Sequence, residues 1–141
     1  MNREAIFAAL WALAPTAQVT TSGRKLRHWD DLKSSDFPAL FQAQGDDEIA
    51  AHGNLPPAHS MLAKWWVYAY TDPSQNKTPA EVINPLLDAV EAALAPEPGQ
   101  SAQTLGGLVD QCYIEGKVET DEGLLGDYSV AIVPIRIKVG G

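Results

Sequence analysis

The sequence is poor in cysteine and in basic residues. One cysteine, Cys112, occurs in 141 residues, so a single copy can form neither an internal disulfide nor a zinc site built from thiolates. Ten Lys and Arg stand against eighteen Asp and Glu, which leaves a formal net charge of −8. Affinity for phosphate backbones comes mainly from Lys and Arg, so this balance argues against a nucleic-acid-binding protein.

Long apolar runs are also missing. No stretch approaches the roughly 18 apolar residues that cross a bilayer, so we expect no membrane partner. The N-terminal segment 1–15 has only a short apolar run, carries Arg3 and Glu4, and lacks a small-residue cleavage site, which is typical of a helix and not of a signal peptide. We expect a soluble intracellular protein, and the length predicts a single domain, 1–141.

Two segments carry helical periodicity. In residues 2–14 apolar side chains recur at spacings of three and four, with Asn2 as a plausible N-cap. Residues 78–94 begin with a capping box, in which Thr78 accepts from the amide of Glu81, and continue as an amphipathic stripe. Pro85 interrupts this stripe, so the sequence predicts a kink or a restart capped by Asn84.

Strand-like alternation fills much of the remainder. Residues 37–44 alternate until the acidic run 45–48, which we expect to end the strand, and a polar connection leads on through 53–57. Residues 61–71 are rich in β-formers and apolar on both faces, which predicts a central strand or a face covered by another subunit. The last forty residues resemble a hairpin with arms 108–119 and 128–139.

This order predicts an α+β fold, with an antiparallel sheet of about four strands and two helices packed on it. Residues 16–36 are less regular. Residues 18–21 and 24–29 contain β-type side chains, and a turn at Ser22-Gly23 separates them.

Few residues point to chemistry, and we assign no catalytic, cofactor-binding or metal-binding residue. The histidines His28, His52 and His59 lack the spacing of metal ligands. Cys112 has acidic sequence neighbours and is interpreted as a buried structural thiol. Gly106-Gly107 lacks the context of a phosphate-binding loop and favours a turn with unusual backbone angles.

Asp110 followed by Glu115-Gly116-Lys117 is similar to the acidic residue and Glu-x-Lys of metal-dependent nucleases. In such a site carboxylates hold Mg²⁺ and the lysine polarises the attacking water. Glu115 and Lys117 would share one face of a strand while Asp110 faces the other way, so the geometry argues against this site.

Two acidic clusters and one aromatic strand are candidates for contacts with partners. The clusters lack the ligand spacing of Ca²⁺ loops and are interpreted as solvated loops or partner-facing rims. Aromatic residues are favoured interface anchors, so their surplus indicates oligomerisation. The candidate interface residues are Asp46, Asp47, Glu48, Asp121 and Glu122, with Glu119 and Asp127 beside them, and the aromatics Trp65, Trp66, Tyr68 and Tyr70.

Several segments within roughly the last hundred residues form a recognisable series: Phe37-Pro38-Ala39-Leu40-Phe41, Gly45-Asp46-Asp47-Glu48, Leu55-Pro56-Pro57, Trp65 to Tyr70, Ile83 to Val90, Gln103 to Val109, Ile114-Glu115-Gly116 and Val130 to Val139. Their order and spacing resemble the tail terminator (tail completion) proteins of long-tailed bacteriophages. These motifs are structural and not catalytic.

The resemblance implies a protein that is not an enzyme and forms a homo-oligomeric ring, usually a hexamer, on the last ring of the tail tube. Such a ring stops polymerisation of the tube protein and offers a surface to the head-tail connector or neck protein. It implies a place in the virion, at the head-proximal end of the tail, and in the host cytoplasm during assembly. DNA would only pass through the lumen, where six copies at −8 would place about −48 formal charges and keep it from sticking.

Three alternatives stay open. A neck or head-completion protein can share this fold and setting. A divalent-metal nuclease using Asp110, Glu115 and Lys117 belongs to a different class. A small-molecule binding module ranks last, because the sequence carries no recognisable pocket signal.

Overall fold

The computed structural model describes residues 1–140, with the side chains of residues 52 and 123–125 left aside. It has a mixed α+β fold, in which two helices pack on an open six-stranded sheet. In chain order the elements are α1 (Arg3–Ala12), β1 (Thr21–Gly23), β2 (Ala39–His52), β3 (Leu55–Tyr70), α2 (Pro79–Ala93), β4 (Gln111–Ile114), β5 (Glu119–Leu125) and β6 (Tyr128–Val139).

The sheet has more strands than the four predicted. Its order is β1-β2-β3-β6, and β4 and β5 both pair with the far side of β6. All pairs are antiparallel except β1 with β2. The first predicted hairpin strand, 108–119, is instead two short strands. The chain turns between them at Gly116, whose φ of 97° favours glycine. Residues 120–125, which lie in the expected loop between the two hairpin strands, belong to β5, and Thr21–Gly23 adds the sixth strand.

Pro134 marks the gap between β4 and β5. Proline lacks an amide hydrogen and is usually found in an edge strand or at a bulge, yet β6 is an internal strand. The carbonyl of Pro134 accepts from the amide of Glu115, just beyond the last residue of β4. The polar backbone groups of Pro134 therefore point toward the β4 side of the strand. The missing N–H of proline thus falls where β6 changes partners.

The acidic run 45–48 does not end β2, which is a correction to the sequence analysis. The strand absorbs one extra residue as a bulge between Gln44 and Asp47 and continues to His52. A Cβ at Gly45 would lie 2.9 Å from Leu62, so this bulge requires glycine. The expected polar connection 53–57 is also wrong, since the chain turns at Gly53 and pairs again from Leu55.

Both predicted helices are confirmed. The Asn2 side chain accepts from the Ala5 amide at 3.0 Å, and Thr78 accepts from the Glu81 amide at 3.3 Å. The expected restart at Asn84 is wrong, because α2 runs unbroken through Pro85. Pro85 costs little there, since the carbonyl it leaves free belongs to Glu81, in the exposed first turn.

β3 and β6 divide the core into two layers. Their odd-numbered residues share one face, which packs against α1 and α2 in the larger of the two buried clusters. The buried members from these strands are Met61, Ala63, Trp65, Val67, Ala69, Ala131, Val133, Ile135 and Ile137.

Residues 24–38 cover part of the opposite face and form the second layer. Phe37 is buried there, and its ring centroid lies 5.0 Å from that of Tyr128. Trp29 packs against the same tyrosine, with ring centroids 5.3 Å apart. The segment forms short 3₁₀ turns and no strand over 24–29, so the β-type residues there do not return to the sheet.

One buried amide joins α1 to the sheet. Gln42, on β2, is 2% exposed and accepts from Trp65 Nε1 at 2.9 Å. Its Nε2 donates to the carbonyl oxygen of Phe7 at 3.0 Å. A buried polar side chain is tolerated because both of its ends are paired.

We expect Gln42→Leu to lower the free energy of unfolding by about 2 kcal/mol, since it leaves the buried indole N–H of Trp65 without an acceptor. Urea denaturation followed by tryptophan fluorescence measures this. Gln44→Leu, two residues along the same strand and exposed, is the matched control and should change stability by about 0.5 kcal/mol or less. Equal losses in the two variants would contradict the role assigned to the network.

Candidate functional site

The aromatic strand is used mostly inside the monomer. Trp65 is 0% exposed beneath the helices, and Tyr68 is 2% exposed on the other face. These two side chains have no surface to offer a neighbouring subunit in this fold, which corrects their place among the interface candidates. Trp66 and Tyr70 are half-buried, so each of these side chains keeps some exposed surface. The surplus that indicated oligomerisation is largely absorbed by residues 24–38, a cover the sequence did not reveal.

The first acidic cluster does not act as one patch. Asp47 Oδ2 accepts from Arg3 Nη2 at 3.0 Å and from His59 Nδ1 at 2.9 Å. Asp46 Oδ1 lies 3.7 Å from Arg136 Nη1, and Glu48 is exposed. The bulge in β2 separates these carboxylates and sends them to different partners.

Asp47 ties β2 to β3 and to the start of α1. Because a carboxylate only accepts, His59 must carry its hydrogen on Nδ1 in this arrangement. Partial burial raises the pKa of Asp47, but the hydrogen bonds from His59 and Arg3 outweigh it, and the net pKa lies below the usual 3.8. The ionised form is therefore favoured in the fold.

The second acidic cluster lies at the far side of the sheet. Asp121 is exposed on β5, which pairs only with β6 among the described residues. Glu122 Oε1 accepts from the Ala80 amide at 3.2 Å, at the N-terminus of α2. Glu122 therefore supports a helix end, where negative charge is favourable, while Asp121 is available for contacts.

A protruding arm is the largest feature that the sequence analysis missed. Beyond the pair of His59 with Val139, β2 and β3 continue and pair only with each other among the residues that the structure describes. We call residues 49–58 the arm; they contain no Asp, Glu, Lys or Arg. Ile49 is 57% exposed and Leu55 66% exposed. Pro56 and Pro57 lie on its β3 side. Exposed apolar residues on a projecting ribbon are typical of a contact surface.

The residues that resemble a nuclease site are divided between two places. Glu115 and Lys117 line a cavity of about 400 Å³ on the face opposite the helices. Asp110 lines another, of about 530 Å³, beside the base of the arm. Glu115 Oε2 lies 3.3 Å from Arg136 Nε, so that carboxylate already has a cationic partner. Within residues 1–140, outside the side chains left aside, no group of three His, Cys, Asp or Glu residues is placed to hold a metal ion.

A surface cavity lies between α2 and β4. It measures about 820 Å³ and is lined by Leu94, Pro96, Tyr113, Ile114 and Val118, among others. It is a shallow groove open to solvent. Its lining offers no arrangement of a nucleophile, a base and an anion-binding group.

The glycine turn predicted at Gly106-Gly107 is confirmed, with φ values of 72° and 91°. Glu97, which the sequence analysis did not single out, organises it. Its carboxylate accepts from the Thr104 hydroxyl, from the Thr104 amide at 2.9 Å and from the Gly106 amide at 3.3 Å. The Thr104 hydroxyl and amide, with the Gly106 amide, lower the pKa of Glu97. The role is structural.

His28 takes part in a local backbone turn. The imidazole of His28 is exposed, and its Nδ1 accepts from the Asp30 amide at 3.1 Å. The side chain of His52 lies outside the described residues. Cys112 is 2% exposed, which confirms the expectation of a buried thiol. Burial raises its pKa to about 12.

No protein-family model matches this chain, and no curated protein matches its sequence. Among the described residues, no helix is long and apolar enough to cross a membrane.

Asp47→Asn should lower the free energy of unfolding by about 1 kcal/mol at pH 7, because it weakens charge-assisted hydrogen bonds to Arg3 and His59. The lowered pKa of Asp47 sets the pH dependence. The contribution is present above pH 3.8 and is lost as the pH falls through the lower folded-state pKa. Denaturation of both proteins between about pH 7 and about pH 2.5, a range that spans the titration of a carboxylate, measures this. Glu48→Gln, next to it and exposed, should show no such pH dependence. A gap between wild type and Asp47→Asn that persists at the acid end would contradict the assignment.

Cys112 should react with a thiol reagent such as dithionitrobenzoate at least 100-fold more slowly in the native protein than in urea, since it is buried and its thiolate is disfavoured. The absorbance of the released thiolate measures the rate. Rapid labelling of the native protein would show that the strand β4 opens readily.

Proposed function

We propose that this chain is a tail terminator of a long-tailed bacteriophage, a virion protein that caps the tail tube and presents a surface to the head connector. The observation that carries the proposal beyond the resemblance is the arm. Ile49 and Leu55 are more than half exposed on a ribbon with no charged residue, which a monomer has no use for. A protein that seats on other rings needs such projecting contacts.

The sheet supports an assembling role in a second way. β1 covers only residues 39–41 of β2, so the outer edge of β2 is unpaired from residue 42 onward among the described residues. The outer edge of β5 is unpaired as well. Unpaired edges are templates for contact with another chain. We assign the chain to a homo-oligomeric ring, usually six-fold in the family it resembles, with the tail tube protein and the connector as further partners.

Negative charge suits a channel through which DNA passes without binding. Each copy supplies such charge, because its formal net charge is −8. Asp46 and Asp47 are less suited to line such a channel, because each lies beside an arginine.

The proposal is tested by electron microscopy of the purified protein mixed with tail tubes from the phage that carries this chain. We expect rings seated at one end of each tube and no further tube growth. Binding to filled heads with bare tube ends would instead favour the neck or head-completion role. Cleavage of plasmid DNA with Mg²⁺ or Mn²⁺ that Glu115→Ala abolishes would favour the nuclease.

Ile49→Asp/Leu55→Asp should reduce the fraction of capped tubes at least 10-fold, because the arm would no longer bury apolar surface against its partner. Counting capped ends at equal protein concentration measures the effect. Leu108→Asp is the control, as Leu108 is 46% exposed and is not part of the arm. Melting curves show whether each variant is folded. Normal capping by the folded arm variant would exclude the arm from the contact.

A further inference from the structure

The two ends of the sheet carry opposite charge. Although the chain is acidic overall, three of its ten basic residues, Arg24, Lys25 and Arg27, follow β1 within four positions. At the other end, β5 begins with Glu119, Thr120 and Asp121. β1 is the first strand of the sheet order and β5 lies beyond β6, so these groups are separated by the width of the sheet.

The basic segment is held in place. Arg24 forms a two-pronged hydrogen bond to Glu4 of α1, with Nη to Oε distances of 2.7 and 2.8 Å. The carbonyl of Arg27 accepts from the Tyr68 hydroxyl at 2.7 Å. Lys25 lies between these two anchored residues, and Arg27 is the second of them. Both residues are exposed. Neither makes an ion pair with any other described residue. Their charges therefore face outward from a fixed backbone.

The acidic residues at the other end of the sheet also lack an ion-pair partner among the described residues. Glu119 and Asp121 are exposed, and no ion pair joins either one to another part of the chain that the structure describes. β5 pairs with β6 on one side and leaves its other edge open. Complementary charges fix the orientation of two surfaces and speed their encounter.

We propose that the basic segment 24–27 of one copy docks against the acidic β5 edge of a second copy. The two surfaces differ, so the contact is head-to-tail, and repeated contacts close into a ring when the rotation between copies allows it. The inference rests on the ring proposed above and names the surfaces that meet in it. It leaves the arm free to contact other proteins.

Charge reversal provides the test. Lys25→Glu/Arg27→Glu makes both surfaces acidic, and Glu119→Lys/Asp121→Lys makes both basic. Each variant alone should associate at least 10-fold more weakly than wild type, because like charges would meet. An equimolar mixture should regain association and contain the two variants in alternation, hence an even number of copies in each closed ring. Native mass spectrometry and sedimentation at low and high salt report these outcomes.

Glu81→Lys/Glu91→Lys is the matched control, because it makes the same change of charge at exposed positions on α2. It should associate as wild type does or more strongly, and should not rescue Lys25→Glu/Arg27→Glu. Melting curves establish that each variant folds. A mixture no better than its components, or a wild type that stays monomeric at the highest attainable concentration in low salt, overturns the inference.

The same variants separate this inference from the proposed function. Rings that follow the charge rule but never cap tubes would refute the terminator and leave the docking surfaces standing. Tube capping that is indifferent to charge reversal would refute the docking surfaces alone.

Discussion

The twelve paired positions between β3 and β6 are the constraint on which the other elements depend. Both strands carry apolar side chains toward both faces, so each face requires a cover. The helices bury one face around Trp65, and residues 24–38 bury part of the other around Tyr68. Gln42 fixes α1 to this arrangement, because its side chain accepts a hydrogen bond from Trp65 and donates one to the carbonyl oxygen of Phe7. The position of the helices and of the cover, and hence of the surface charges, follows from this pairing.

Much of the fold was predictable where local chemistry decides it. The caps of both helices, the faces of β3 and β6 and the glycine turn depend on short-range patterns, and they were confirmed. The errors came where a neighbouring strand decides. Acidic residues 46–48 are poor strand formers, but pairing with β3 carries β2 through them at the cost of one bulge. Residues 24–38 carry no periodic signal, because a covering segment packs by its individual side chains.

The candidate contact surfaces were predicted only in part. The acidic residues of β5 stand out in the sequence by composition, but the separate tasks of Glu122 and Asp121 depend on where α2 begins in space. The aromatic residues were a misleading signal, since a strand buried on both faces and an exposed interface strand have the same composition. The arm was hidden because most of its residues are small, polar or turn-forming, and only the end of β6 at Val139 leaves it unsupported.

Pro56 and Pro57 make the two edges of the arm unequal as partners for a further strand. Successive residues in a strand aim their amides to alternate sides, so one of two adjacent prolines removes a donor from the outer edge of β3. The outer edge of β2 along the arm has no proline. A foreign strand can therefore extend the ribbon by a regular ladder on one side only. Strand addition through the arm is therefore directed to its β2 side.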